Sequence, residues 1–158
     1  MCYTMRGEKY AKLILLVGLP ASGKTTYAEK LKNENTIVLS SDAIRKELFC
    51  DEQNQSNNAL VFDTLYKRAR EFLANGKNVV IDSTNINRFE RRRVLDNFED
   101  FSVEKIAIEI VAKKSLCVER DLKRNRTVGE DIIESFYLTY EKPTLSEGFD
   151  KIETINNN

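Results

Sequence analysis

Histidine is absent from this 158-residue chain. With it go the Ser-His-Asp hydrolytic arrangement, histidine-ligated metals and any imidazole general base, so a group that takes up a proton must be a carboxylate. Three cysteines, Cys2, Cys50 and Cys117, lie far apart without a C-x-x-C pair, which argues against a disulfide framework and against a cysteine zinc site. The 25 basic and 25 acidic residues cancel, so overall charge advertises neither nucleic acid nor membrane, while a locally basic groove stays compatible with it. Aromatic side chains suited to stacking on bases are scarce, at 9% of the chain. No apolar run approaches the length of a bilayer span, and the opening residues Met1 to Lys9 lack the apolar stretch of a signal peptide. The expectation is a soluble cytoplasmic protein with no membrane partner. There is neither an internal repeat nor a linker, and the length suits one α/β domain over residues 1–158.

Against these absences stands one strong motif. Residues 13 to 26 read Leu-Ile-Leu-Leu-Val-Gly-Leu-Pro-Ala-Ser-Gly-Lys-Thr-Thr, an apolar strand running into G-x-x-x-x-G-K-[ST], the pattern of a phosphate-binding P-loop. Glycines let consecutive backbone N–H groups turn inward around phosphate oxygens, and the following helix adds its positive dipole end. Gly18, Ala21, Ser22, Gly23, Lys24, Thr25 and Thr26 are therefore the expected cradle of a nucleoside triphosphate. Lys24 is placed to reach the β- and γ-phosphates, and the Thr25 hydroxyl to ligate Mg²⁺.

Periodicity predicts strands at Lys12–Val17, Thr36–Ser40, Lys77–Asp82 and Val103–Val111, and an edge strand at Phe149–Ile155. Helices are predicted over 24–33, 42–49, 59–74, 89–98, 115–126 and 129–141, with a polar loop over 50–57 and a disordered tail over 156–158. Such alternation implies right-handed crossovers and a mostly parallel, doubly wound sheet with helices on both faces. Its ligand lies beyond the carboxyl ends of the strands.

Two further polar clusters fall at such ends. In Ser41-Asp42-Ala43-Ile44-Arg45, Asp42 and Arg45 are three apart on one helix and point the same way. Asp42 could orient a hydroxyl and accept its proton, and Arg45 could grip an anionic group on the acceptor. An Asp that merely caps the helix beside a surface Arg is the plain alternative. In Asp82-Ser83-Thr84-Asn85-Ile86-Asn87, the acid closing an apolar strand suits Mg²⁺ held through water, or support for Arg45. The same residues also make an ordinary turn. Arg91, Arg92 and Arg93 read most simply as a solvated helix face, with acceptor phosphates as the second choice. Arg120 and Arg124 form an i, i+4 pair that, with Arg126, could close over the donor as a small arginine-bearing lid, or could be screened surface charges. For a donor base, the segment Pro143 to Phe149 is the first place to look.

Taken in order, the P-loop, Ser41-Asp42-x-x-Arg45, Asp82-Ser83-Thr84-Asn85-Ile86-Asn87 and Glu119-Arg120-x-x-x-Arg124-Asn125 resemble the P-loop polynucleotide 5′-kinases of phages and bacteria, over about residues 12 to 141. That resemblance covers the kinase module alone. It implies a P-loop NTPase fold, with ATP and Mg²⁺ as donor and cofactor and a nucleic-acid 5′-end as acceptor. It implies Asp42 as general base, Arg45 as ligand of the acceptor phosphate, Asp82 as essential support beside Thr84 and Asn85, and Arg120 and Arg124 as lid residues on the donor. Arg88 stands where the family often has proline. A P-loop kinase of small metabolites, antibiotics or aminoacyl-tRNA keeps the same mechanism with another acceptor, and a nucleotide switch without an acceptor keeps only the loop. Donor-base preference and oligomeric state leave no signature in the sequence.

Overall fold

A computed structural model describes residues 10–158. Five strands, β1 (Lys12–Val17), β2 (Thr36–Ser40), β3 (Asn78–Asp82), β4 (Glu104–Val111) and β5 (Lys151–Asn156), form one sheet in the order β2-β3-β1-β4-β5. All four pairings are parallel. Connections of this kind carry helices across both faces, and six are present: α1 (Lys24–Leu31), α2 (Ser41–Phe49), α3 (Asn58–Ala74), α4 (Arg88–Asp96), α5 (Lys114–Leu122) and α6 (Glu130–Leu138).

Because both faces are covered, the central strands are apolar at nearly every position. Leu13, Leu15, Val17, Val79, Ile81 and Ala107 face a core completed by Val61, Leu65 and Ala69 of α3 and Val94 of α4. Ile14, Leu16, Val80, Ile106, Ile108 and Ile110 face Ala28, Tyr27 and Leu31 of α1. A third cluster, Leu19, Ile86, Cys117 and Ile133, seats α5 and α6 beside the P-loop. Glu109 of β4 breaks the apolar pattern. It is buried, and one carboxylate oxygen has no hydrogen-bond partner. Burial and a hydrogen bond to this carboxyl push the Tyr140 hydroxyl far above its ordinary range.

Two expectations need correction. The fifth helix stops at Leu122 rather than Arg126, because the buried Asp121 carboxylate accepts the amides of Val128 at 3.1 Å and Gly129 at 2.9 Å and folds the chain back. The C-terminal residues are not a loose tail. Asn156 closes β5, the Asn157 amide donates to Val111 O at 2.7 Å, and Asn158 Oδ1 accepts the Lys113 amide at 2.7 Å. Among the described residues no helix is long and apolar enough to cross a membrane.

Candidate active site

The P-loop leaves the end of β1 at Gly18, whose amide donates to Thr84 O at 3.1 Å and ties the loop to the end of β3. A Cβ on Gly18 would stand 2.7 Å from Ile110 O and 2.8 Å from Ser22 Oγ, so only glycine fits there. Gly23 turns the loop into α1 with φ of 104°, and Ala21 adopts the left-handed region at 61°. These turns set the loop against the first turn of α1, where a helix N-terminus favours an anion. Lys24 is 7% exposed, and its Nζ donates to Gly18 O at 2.9 Å and Leu19 O at 2.6 Å. Burial lowers its pKa to about 8, with nearby Asp82 pulling the other way. Thr25 Oγ1 donates to Asp82 Oδ2 at 2.9 Å. Asp82 is itself buried, and that desolvation raises its carboxyl above the usual range. Ser22 is wholly buried and, like Gly18, does not line the cleft, whereas Ala21, Gly23, Lys24, Thr25 and Thr26 do.

A hydroxyl and a carboxylate side by side at the mouth of a phosphate cradle are hard oxygen donors of the kind Mg²⁺ takes alongside waters and substrate phosphates. Thr25 and Asp82 therefore fit as the protein's share of that ion's shell. They are two groups only, and among the described residues no group of three or more cysteine or carboxylate side chains is placed to hold a metal ion.

A second wall of the cleft grows from α2. Ser40 caps this helix, its Oγ accepting the Ala43 amide at 3.2 Å, which leaves Asp42 in the first turn free of capping duty. Arg45 Nη1 donates to Asp42 Oδ1 at 2.7 Å and Nη2 to Asn58 Oδ1 at 3.0 Å. Arg45 is 5% exposed and its Nε has no partner, whereas the Asp42 side chain is 47% exposed, so the pair joins a buried guanidinium to a carboxylate open to the cleft. The second oxygen of Asp42 is held from across the cleft: Arg126 Nη2 reaches Oδ2 at 3.1 Å while its Nη1 reaches Glu52 at 3.0 Å. The link from Arg126 to Glu52 escapes a reading of the sequence, where the loop over 50–57 shows only polarity.

On the third side, Asn85 takes φ of 47° and its Nδ2 donates to Leu16 O at 2.8 Å. Arg91 holds this loop from below, with Nη1 on Asn85 O at 2.9 Å and Nε on Glu147 at 2.7 Å. The expectation that Arg91 is solvated is wrong, since it is completely buried. Arg92 and Arg93 are exposed. The segment 143–149 packs here under α4 through Glu147 and lines no part of the cleft, which removes it as a place for the donor base.

Arg120 and Arg124 reach the cleft from different backbone settings instead of one helical face, because α5 ends between them. Arg120 Nη2 donates to Asn157 O at 2.8 Å, and Asn157 Nδ2 donates to Ser22 O at 2.7 Å. Arg124 stands 3.6 Å from Asp121 and is 42% exposed. Lys24, Thr25, Asp42, Arg45, Asp82, Thr84, Asn85, Arg120 and Arg124 all line a single cavity of about 1300 Å³.

Comparison with known proteins places this architecture. The AAA domain family matches residues 13–143. The chain is 27% identical over 150 residues to an L-seryl-tRNA(Sec) kinase of Methanococcus maripaludis, covering 87% of this chain and 56% of that protein. It is 24% identical over 159 residues to a bifunctional polynucleotide phosphatase/kinase of Schizosaccharomyces pombe, covering 97% of this chain and 35% of that one. The chain thus spans between about a third and a little over half of these two relatives. Among solved structures, a chain of the Pnkp1/Rnl/Hen1 RNA repair complex superposes with a TM-score of 0.77 at 20% identity, covering 87% of this chain and 46% of that chain, a likeness of fold. The all-parallel sheet, the loop after β1 and this spread of similarity agree, and the protein belongs to the AAA domain family, in the company of P-loop kinases.

Proposed function

We propose that this protein transfers the γ-phosphoryl group of ATP to the 5′-hydroxyl of a polynucleotide. The observation that carries the reading is Asp42, a carboxylate fixed by two guanidinium groups on the rim of the cavity that also holds Lys24, Thr25 and Asp82. Phosphoryl transfer asks little covalent chemistry of a protein and much positioning and charge. The P-loop amides and Lys24 hold the triphosphate. Asp42 orients the acceptor hydroxyl for in-line attack and takes its proton, while Arg45 holds an anionic group next to that hydroxyl. Arg120 and Arg124 meet the charge that spreads over the transferring group. A Mg²⁺ held by Thr25 and Asp82 would supply neutralisation of the phosphate charge. The fission yeast relative supports a polynucleotide acceptor.

A second reading has one specific support: the archaeal relative is a kinase of seryl-tRNA(Sec), so an aminoacyl hydroxyl can occupy the same place before Asp42. Labelled ATP with 5′-hydroxyl oligonucleotides in one arm and seryl-tRNA in the other separates the two. Label on oligonucleotides, lost in Asp42→Ala with ATP binding kept within a few-fold, is the result expected. Label on seryl-tRNA alone replaces the first reading by the second, and ATP binding without transfer in either arm overturns both and leaves a small-molecule acceptor or a nucleotide switch.

A further inference from the structure

The cleft does not end at Arg45. Beyond it, the cavity continues between α3 and α4, past Asn58, Phe62 and Tyr66 on one wall and Glu90, Arg93 and Val94 on the other. Asn58, Phe62 and Tyr66 are spaced i, i+4, i+8 and so form one row along α3. At about 1.5 Å of rise per residue, that row extends the groove by roughly 12 Å. Asn58 starts it in contact with the Arg45 guanidinium at 3.0 Å, so the groove is continuous with the place where the acceptor's anionic group is held. Phe62 is half-buried and offers part of a ring. Arg93 is exposed and stands near the Tyr66 hydroxyl, where its charge opposes the rise that burial gives that group. Arg92 pairs with Asp96 at 2.9 Å, whereas Arg93 has no ion-pair partner among the described residues. Glu90 is engaged by the Ile86 amide at 3.0 Å, and Asp63 stands on the far side of Tyr66.

An aromatic face and a cation in one groove are the elements that hold single-stranded nucleic acid without reading its sequence. We propose that the α3–α4 groove is a subsite for the second nucleotide of the acceptor, its base against Phe62 and its phosphate against Arg93. The cavity of about 1300 Å³ runs without a break from the P-loop, which takes the donor, past Arg45 to Phe62 and Arg93. An acceptor the size of a metabolite would leave this arm empty.

This inference rests on the polynucleotide reading, and the test separates the two. Steady-state kinetics are measured with a nucleoside 3′-monophosphate, a 5′-hydroxyl dinucleotide carrying a 3′-phosphate, and a hexanucleotide. In the native protein kcat/KM rises on the order of tenfold from one nucleotide to two, the scale of one stacked base and one phosphate contact. Arg93→Gln and Phe62→Leu each reduce that rise to about threefold or less while leaving the mononucleotide reaction within about twofold, and Arg93→Lys restores part of it. Equal kcat/KM for one and two nucleotides in the native protein, or an undiminished rise in Arg93→Gln, overturns the subsite and leaves the kinase reading standing. Failure to phosphorylate any of the three acceptors overturns the polynucleotide reading and the subsite with it.

Discussion

Arg126 Nη2 lies 3.1 Å from Asp42 Oδ2, joining a loop that follows α5 to the first turn of α2 across the mouth of the cleft. A second tie runs beside it, from Gln53 Nε2 to Thr127 O at 3.2 Å. Arg45 occupies the other Asp42 oxygen, so the carboxylate is fixed in rotation by groups from two directions. The burial that would disfavour the Arg126 charge is outweighed by Asp42 and Glu52, which hold the guanidinium charged.

If Asp42 is the base, as proposed, fixing it in place matters for the transition state more than for binding. Arg126→Ala is therefore expected to lower kcat on the order of tenfold, with the KM of either substrate changed within about threefold. Glu52→Gln, which leaves the Asp42 contact intact, should lower kcat by less than about threefold. Combining Arg126→Ala with Asp42→Ala should add little to the single loss, because both act through one carboxylate. Additive losses would show that Arg126 works elsewhere, and steady-state kinetics of the four proteins decide it.

Asp82 sets function against stability. Its pKa is raised by burial, so between the unfolded value and the higher folded one the native state binds more protons than the unfolded state. Stability then falls as pH rises through that interval, and at pH 7 the ionised carboxylate is a net cost. Asp82→Asn removes the charge and keeps an oxygen for the Thr25 hydroxyl. Thermal denaturation at pH 7 should show a Tm higher by about 2–6 °C, together with transfer reduced on the order of a hundredfold, the scale of losing one electrostatic contributor to the transition state. A lower Tm would mean that the buried charge is compensated better than its surroundings indicate.

Much of this site was legible because its signals are local. The P-loop is a contiguous pattern whose glycines answer to backbone geometry, and Asp42 with Arg45 are three residues apart on one helix. What escaped depends on contacts remote in sequence. Arg91 sits in an arginine run that looks solvated, yet its partners are the carbonyl of Asn85 and the carboxylate of Glu147, fifty-six positions away. The helix bearing Arg120 reads as continuous to Arg126, because no propensity rule foresees that Asp121 will take the amides of Val128 and Gly129. The three final asparagines have the composition of a loose tail, and their order comes from Val111, Lys113, Arg120 and Ser22.

Arg91 and Glu147 form a buried ion pair, with Arg91 wholly inaccessible and the Glu147 side chain 10% exposed. Burial, the largest single influence, would raise the Glu147 pKa, but the Arg91 hydrogen bond and charge together with the Thr144 hydrogen bonds outweigh it and hold the carboxyl low. Its stabilisation is thus present above the unfolded carboxylate pKa and is lost as pH falls through the folded one. Removing one partner strands the other charge, at about 3–5 kcal/mol. Arg91→Met should lower Tm at pH 7 by roughly 6–15 °C. The double change Arg91→Met with Glu147→Leu should recover part of that loss. Calorimetry at pH 7 and pH 4 checks the sign: the deficit of Arg91→Met shrinks in acid, where the stranded carboxyl is protonated. A deficit equal at both values would assign the loss to packing around the arginine stem.

Lys24 makes donor binding sensitive to pH. In the free protein its pKa is brought down to about 8 by burial, whereas a bound triphosphate favours the charged form and raises it. Affinity for the donor is therefore flat below pH 8 and declines above it by up to about tenfold per pH unit, until the pKa of the complex is reached. Titration calorimetry with a non-hydrolysable ATP analogue between pH 6.5 and 9.5 should show that break, with proton uptake on binding on the alkaline side. Lys24→Arg, charged throughout the range, should bind more weakly at neutral pH and show no break. A break retained in Lys24→Arg would move the titration to another group and leave the lysine an ordinary cation throughout.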